Sequence, residues 1–215
     1  MSTPRWRRIA ALCAMTMLAS ACASINPTAG STTPQKTSQE SARVFHDTIG
    51  MSGRISVRYQ QNGKDEAVHG NFTWNQTPDL TNIVLASPLG QTLATIDVSP
   101  ASSKLTQSGK PARVAANVDA LAAEALGWPL PVSGLRTWLQ GFAFDAGGKP
   151  FTATADTTGA LAVTTPDGWR IDYPNWQSDE AASSQDRPKR IDLERTTAQA
   201  GNISLRIVID TWQVR

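Results

Sequence analysis

The feature of this sequence that most constrains its fold is a regular alternation of apolar and polar residues. From Gly53, the apolar side chains of Ile55, Val57 and Tyr59 alternate with polar ones, which is the period of a β-strand with one buried face. Asn62-Gly63 is a hairpin turn signal. The returning segment keeps the period with Val68, Gly70, Phe72 and Trp74. The chain is therefore expected to fold as an antiparallel meander with one solvated face.

Further strand patterns flank a short helical region. Strands are predicted over 83–87, 92–98, 169–173, 190–195 and 203–209. A helix is expected over 118–126, between an N-cap at Asn117 and a C-terminal Gly127. A capping-box pattern from Thr37 to Glu40 predicts another helix, which ends at Gly50. A short amphipathic helix is expected to carry Leu135, Trp138 and Leu139. The fold class is α+β, an antiparallel sheet whose apolar face is covered by a few short helices.

The N-terminal residues are typical of an export signal. Arg5, Arg7 and Arg8 precede an uncharged apolar stretch over 9–18. A basic segment followed by such a short apolar run indicates a signal peptide, and the run is too short to span a bilayer as a mature helix. After it, 17 basic and 18 acidic residues remain, so the rest of the chain is close to neutral. Because no basic surface is left to bind phosphates, nucleic-acid binding is not expected.

A cysteine follows the apolar stretch directly. The run Leu18-Ala19-Ser20-Ala21-Cys22 resembles the bacterial lipobox, in which the peptide is cut before the cysteine and the thiol is acylated. An ordinary signal with an incidental cysteine is the alternative. Ala23 stands where lipoproteins retained at the inner membrane usually have aspartate, which implies export to the outer membrane. The predicted organisation is a lipoprotein signal peptide over 1–21, a lipidated N-terminus and flexible tether over 22–36, and one domain over 37–215.

Residues suited to catalysis or metal binding are scarce. Both cysteines lie in the N-terminal segment, and His46 and His69 are the two histidines. Both histidines are expected on solvated surfaces. The sequence contains none of the common hydrolase, zinc-protease or phosphate-loop motifs, and no metal or other cofactor is expected. Paired carboxylates need no local motif, so a hydrolase stays open as an alternative without positive support.

Large apolar side chains are abundant instead. Trp74, Trp169 and Trp212 belong to predicted strands, and Trp138 belongs to the short helix. Ordinary core packing is one interpretation of each. As a set they would meet between the sheet and the helices, where incomplete packing would leave an apolar cavity for an acyl chain. The candidates for its lining are Trp74, Leu85, Trp138, Leu139, Trp169, Tyr173 and Trp212.

Four motifs in a fixed order resemble the LolB family of outer-membrane lipoprotein receptors. They are SPLGQT at 87–92, LGWPLP at 126–131, LRTWLQG at 135–141 and GWRIDY at 168–173. The similarity extends from Gly53 to Trp212. It implies an unclosed antiparallel β half-barrel covered by a few short helices, which enclose an apolar cavity.

The resemblance also implies a function and partners. The protein would accept acylated lipoproteins from the periplasmic carrier LolA, which shares the fold but lacks a lipid anchor, and would insert them into the inner leaflet of the outer membrane. It would be a monomer and not an enzyme, anchored in the outer membrane through Cys22 and facing the periplasm. The loop Pro88-Leu89-Gly90 would insert into the membrane, and Leu89 is the residue to which the resemblance assigns this role. The alternatives are a lipid-anchored carrier of another lipid or glycolipid, and an outer-membrane-anchored hydrolase.

Overall fold

A computed structural model of the chain describes residues 43–155, 162–178, 186–198 and 200–214. These residues form twelve strands and two helices. In chain order the elements are β1 (Ile49–Gln61), β2 (Lys64–Gln76), β3 (Thr81–Ala86), β4 (Thr92–Val98), β5 (Ser103–Thr106), β6 (Arg113–Ala115), α1 (Val118–Leu126), α2 (Val132–Trp138), β7 (Phe142–Phe144), β8 (Pro150–Thr152), β9 (Val163–Thr164), β10 (Arg170–Gln177), β11 (Arg187–Thr197) and β12 (Gly201–Val214).

Ten of the strands form a single antiparallel sheet that does not close on itself. Its order is β6-β5-β4-β3-β2-β1-β12-β11-β10-β9, while β7 and β8 form a separate hairpin. Within the described residues β6 and β9 are the two edges, and they do not pair with each other. The sequence prediction of an unclosed antiparallel sheet covered by short helices is therefore confirmed.

The three long central strands follow the predicted alternation. On β1, Val57 is fully buried and Arg58 is exposed, and on β12 the buried Leu205 alternates with the exposed Arg206. Asn62 and Gly63 have φ angles of 54° and 75°, as a tight hairpin between twisted strands requires. The buried face therefore follows from the two-residue period of a strand.

The helix α1 has the ends that its sequence predicts. The Asn117 side chain accepts a hydrogen bond from the backbone N–H of Ala120, and Gly127 ends the helix with a φ of 83°. Asparagine at this position satisfies a helix donor that has no other partner, and glycine tolerates the left-handed conformation.

The helix predicted to end at Gly50 is wrong in the part that the structure describes. Residues 43–48 are not helical, and Ile49 and Gly50 begin β1. The capping-box residues 37–40 lie outside the described residues. Ile49 pairs with β2 on one side and with β12 on the other, so backbone pairing in the sheet overrides the helical spacing of the local sequence.

We expect Gly53→Ala to lower the free energy of unfolding. An added Cβ would lie 2.0 Å from the carbonyl oxygen of Val208 and 2.9 Å from Cε1 of Phe72. Overpacking of a core usually costs about 1–3 kcal/mol, and here a backbone atom must also shift. Urea unfolding monitored by circular dichroism measures the change. Arg58→Ala, at an exposed outward position of the same strand, is the control and should shift the midpoint little; equal midpoints for both variants would contradict this close packing.

Candidate functional site

Part of the apolar face of the sheet is covered by residues 128–141, which comprise α2 and its flanking residues and are called the cover below. Leu130, Leu135 and Leu139 of the cover face the sheet, and a small space of about 20 Å³, called the gap, lies between them. The sheet contributes Ile55, Phe72, Trp74, Ile83, Leu85 and Ile207 to this gap. Small-molecule sites have volumes of about 300 Å³ and more. The cover is therefore packed closely on the sheet, and side chains fill most of the space between them.

Only three of the seven predicted cavity residues line this gap. Trp74 and Leu85 contribute from the sheet and Leu139 from the cover. The side chains of Trp138, Trp169, Tyr173 and Trp212 do not line it, although all four belong to or pack against the same apolar core. Strand parity assigns a residue to a face of the sheet, but it does not say which part of that face the cover overlies.

Trp138 and Tyr173 fasten the C-terminal end of α2. The Trp138 ring lies against Gly134, where an added Cβ would stand 2.3 Å from Cζ2 of the ring. The Tyr173 hydroxyl donates a hydrogen bond of 3.0 Å to the Trp138 carbonyl oxygen. A tyrosine phenol is neutral at physiological pH, and burial raises the pKa of Tyr173 further above its usual value, so the hydroxyl keeps its proton for this bond. Both residues therefore hold the end of α2 in place.

Trp169 and Trp212 lie under arginine side chains. The Arg195 guanidinium is 5.7 Å from the Trp169 ring centroid, and that of Arg187 is 5.6 Å from the Trp212 ring. Such cation–π contacts stabilise a folded structure by about 0.5–1 kcal/mol each. The two tryptophans therefore have structural partners outside the gap.

The segment before β1 is hydrogen-bonded to the end of the cover. The side-chain oxygen of Gln140 accepts from the backbone N–H of His46 at 2.9 Å, and its amide nitrogen donates to the His46 carbonyl oxygen at 3.0 Å. Gln140 is only 2% exposed, so these bonds form in a water-poor site. Phe45 adds an edge-to-face contact with Phe142, their centroids 5.8 Å apart. Sequence patterns gave no signal for this connection.

Arg136 attaches the cover at a third point. Its Nη1 donates to the hydroxyl oxygen of Thr81 at 2.8 Å, and its Nη2 donates to the carbonyl oxygen of Thr77 at 2.9 Å. Thr77 belongs to the turn between β2 and β3. One guanidinium thus connects α2 to the start of β3 and to the turn before it. The sequence motif at 135–141 did not predict this role.

The two histidines have different surroundings. His69 is exposed on the outer face of β2, as predicted, and its Nδ1 lies 2.9 Å from the Ser56 hydroxyl oxygen. His46 is half-buried and is engaged through its backbone. Across 43–155, 162–178, 186–198 and 200–214, no group of three or more His, Cys, Asp and Glu side chains is placed to hold a metal ion. In the same residues, neither helix is long and apolar enough to cross a membrane.

The loop between β3 and β4 presents an apolar side chain to solvent. Leu89 is 97% exposed. Its backbone is held by a hydrogen bond from Gly90 N–H to the Ser87 carbonyl oxygen and by another from Ser87 N–H to Gln91. Gly90 has a φ of 85°, which glycine adopts without steric cost, and the ring of Pro88 fixes its own φ angle. The loop therefore holds Leu89 at its tip in a defined conformation.

Cys22 lies outside the described residues. The signal peptide, the lipid attachment and the tether over 22–36 accordingly remain predictions from the sequence.

Comparisons with known proteins identify close relatives. The family model described as Outer membrane lipoprotein LolB matches residues 47–212. The chain is 41% identical over 209 residues to the outer-membrane lipoprotein LolB of Cupriavidus pinatubonensis, covering 96% of this chain and 95% of the relative. It is 30% identical over 207 residues to that of Thiobacillus denitrificans, covering 96% and 98%. Among solved structures, a LolA superfamily protein from Nitrosomonas europaea aligns with a TM-score of 0.43 and 8% identity over 80% of this chain and 88% of the other.

Proposed function

Because the chain belongs to the LolB family of outer-membrane lipoproteins, we propose that it is the receptor that accepts lipoproteins from a soluble periplasmic carrier and inserts them into the inner leaflet of the outer membrane. Family membership over residues 47–212 carries this proposal. The carrier is LolA, the cargo is an acylated lipoprotein, and the anchor is a lipid on Cys22.

The chemistry of the cargo requires an apolar acceptor. Each CH₂ group that leaves an apolar environment for water costs about 0.8 kcal/mol, so exposing a whole acyl chain costs more than about 10 kcal/mol. An acceptor must therefore offer apolar surface while the donor still shields the chains. The interface between the cover and the sheet offers such surface, because Leu135, Leu139 and Trp74 face one another across the gap.

Separating the cover from the sheet breaks few polar contacts. Among the described residues, these side-chain contacts are those of Arg136, Gln140 and Tyr173. A neutral hydrogen bond contributes about 0.5–1.5 kcal/mol net, and one from a charged group about 1.5–3 kcal/mol. Their combined loss is comparable with the free energy of burying one acyl chain and smaller than that of burying the several chains of an acylated lipoprotein. Cargo binding is therefore able to hold the cover open, whereas an unloaded protein closes it and buries its apolar surface.

The loop of Leu89 supports the delivery step. A fully exposed leucine at a tip with fixed backbone gains about 1.5–3 kcal/mol when it enters an apolar phase. The bilayer supplies that phase if the anchor on Cys22 holds the domain at the membrane. Pro88 and Gly90 keep the tip narrow, so the side chain can enter between lipids without a large rearrangement of the loop.

A transfer assay tests the proposed function. The mature lipidated chain is placed in vesicles and mixed with carrier loaded with a labelled lipoprotein; we expect the label to leave the carrier and to float with the vesicles. The same cargo without acyl chains is the control and should stay in solution. Retention of acylated cargo on the carrier, or purification of the protein with a free phospholipid or glycolipid bound instead, would contradict the receptor role.

Trp138 provides a further prediction. Because Trp138 is only 5% exposed and belongs to the apolar core, we expect its fluorescence to shift when an acylated peptide binds and separates the cover from the sheet. The difference between the spectra of the wild-type protein and of Trp138→Phe isolates this signal, and Trp169→Phe serves as the matched control. An unchanged difference spectrum at saturating ligand would show that the cover does not move.

A further inference from the structure

A second apolar depression lies at the edge of the cover. It has a volume of about 280 Å³ and is formed by the turn between β2 and β3, the end of β4, and both helices. Leu80, Val98, Val118 and Val132 supply apolar surface, while Arg136 is its basic residue and Asp79 its acidic one. We call this depression the outer cleft. Its volume is close to the lower limit of small-molecule sites.

The outer cleft and the gap beneath the cover share the same two elements. On α2, Val132 and Arg136 line the cleft while Leu135 lines the gap. On β3, Thr81 lines the cleft while Ile83 lines the gap. The two spaces are therefore neighbours along one junction between α2 and β3. A chain that separates these elements extends from the cleft into the gap.

Arg136 lies at this junction and hydrogen-bonds to oxygen atoms. Its Nη2 donates to the carbonyl oxygen of Thr77, and its Nη1 donates to the hydroxyl oxygen of Thr81. A guanidinium is always charged and donates only. Separating α2 from β3 takes these acceptors away. The half-buried guanidinium at the edge of the open cleft is then available to other oxygen acceptors, water or a ligand carbonyl.

We propose that the outer cleft binds the acylated cysteine of the cargo, with Arg136 donating hydrogen bonds to its ester carbonyl oxygens and the acyl chains continuing into the gap. The inference rests on the proposed function. Its occupant follows from the chemistry of the site: an apolar depression that adjoins an apolar gap across the junction of α2 and β3 suits hydrocarbon, and a donor-only group at the junction suits carbonyl oxygens. An acylated cysteine carries both within a few bonds of each other. Arg136 is thus a specificity-determining residue for the ester linkage.

The test compares two ligands that differ only in their carbonyl groups. One is a peptide with an N-terminal triacylated cysteine, and the other is its ether analogue, in which methylene groups replace both ester carbonyls. We expect the lipidated wild-type protein to bind the ester ligand about three- to tenfold more tightly, the usual size of a net hydrogen-bond contribution. Arg136→Met should bind both ligands equally, and Arg136→Lys should keep part of the preference. Arg54→Met, on the outer face of β1, is the control and should retain the wild-type ratio.

The ligand ratio separates recognition from a structural role. If Arg136 only stabilised the closed cover, Arg136→Met would change the affinity of both ligands by the same factor. Equal affinities of the wild-type protein for ester and ether ligands would overturn the assignment of Arg136 and leave the receptor role intact. If the wild-type protein bound neither ligand, the proposed function would fail, and this inference would fail with it.

The position of the ligand is tested separately. A photoreactive residue in place of Leu80, which lines the cleft, should crosslink to the triacylated peptide, whereas the same residue in place of Val114, which is exposed on β6, should not. Equal crosslinking at both positions, or at Leu80 with the unacylated peptide, would overturn the location of the site.

Discussion

Replacing Leu89 with glutamate is expected to reduce delivery of lipoproteins to the membrane by at least about tenfold while leaving their acceptance from the carrier unchanged. Leu89 is 97% exposed and does not line the gap or the outer cleft, so its replacement leaves the cargo site intact. Leucine gains about 1.5–3 kcal/mol on entering an apolar phase, and a carboxylate loses about that much or more in the same region. A factor of ten corresponds to about 1.4 kcal/mol, which is smaller than either contribution.

The measurement follows labelled cargo from carrier to receptor and from receptor to vesicles as two separate rates. Leu89→Ile and Leu89→Phe should retain delivery because they keep the apolar side chain. Val114→Glu is the matched control, since Val114 is also an exposed apolar residue, 65% exposed, but lies on the edge strand β6. Normal insertion by the Leu89→Glu variant, or equal loss in the Val114→Glu variant, would show that Leu89 is only a turn residue.

The sequence was sufficient to predict strands β1–β4 and β10–β12 because the relevant signals are local, whereas the short strands β5, β6 and β9 and the β7–β8 hairpin were not identified. The two-residue period of β1 and β12 identified the buried face, and the pair Asn62-Gly63 identified the hairpin that joins β1 to β2. Asn117 and Gly127 marked the ends of α1. Leu89 could be placed at a loop tip because proline and glycine on either side restrict the backbone there.

Contacts between distant segments were not predictable in the same way. The apolar spacing of residues 42–49 fits a helix as well as a segment that enters a sheet, and pairing with β12, far along the chain, decides between them. The hydrogen bonds between Gln140 and His46 join residues that no local pattern connects. Whether Trp138 lines the gap or packs within the cover depends on side-chain packing, which strand and helix periods do not determine.

Replacing Cys22 with alanine is expected to release the protein from the membrane completely while leaving cargo acceptance intact. A single acyl chain binds membranes only marginally, and several together hold a protein there almost permanently. Without the Cys22 thiol, the acyl chains predicted for this residue cannot be attached. Among the described residues that line the gap, Ile55 comes earliest in the chain, well beyond Cys22 and the tether, so the cargo site does not depend on the anchor.

The variant is produced behind a signal peptide whose cleavage does not require a lipid, and flotation with vesicles measures anchoring. Delivery by this soluble variant should be slower than that of the lipidated protein but should rise with vesicle concentration. The reason is that, without the lipid predicted on Cys22, nothing holds the domain and its Leu89 side chain near the bilayer. Ser24→Ala is the control and should remain anchored. A Cys22→Ala protein that still floats with vesicles would contradict lipid attachment at Cys22. If it instead failed to accept cargo from the carrier, the lipid would be part of the cargo site and the separation of anchor from binding surface would be wrong.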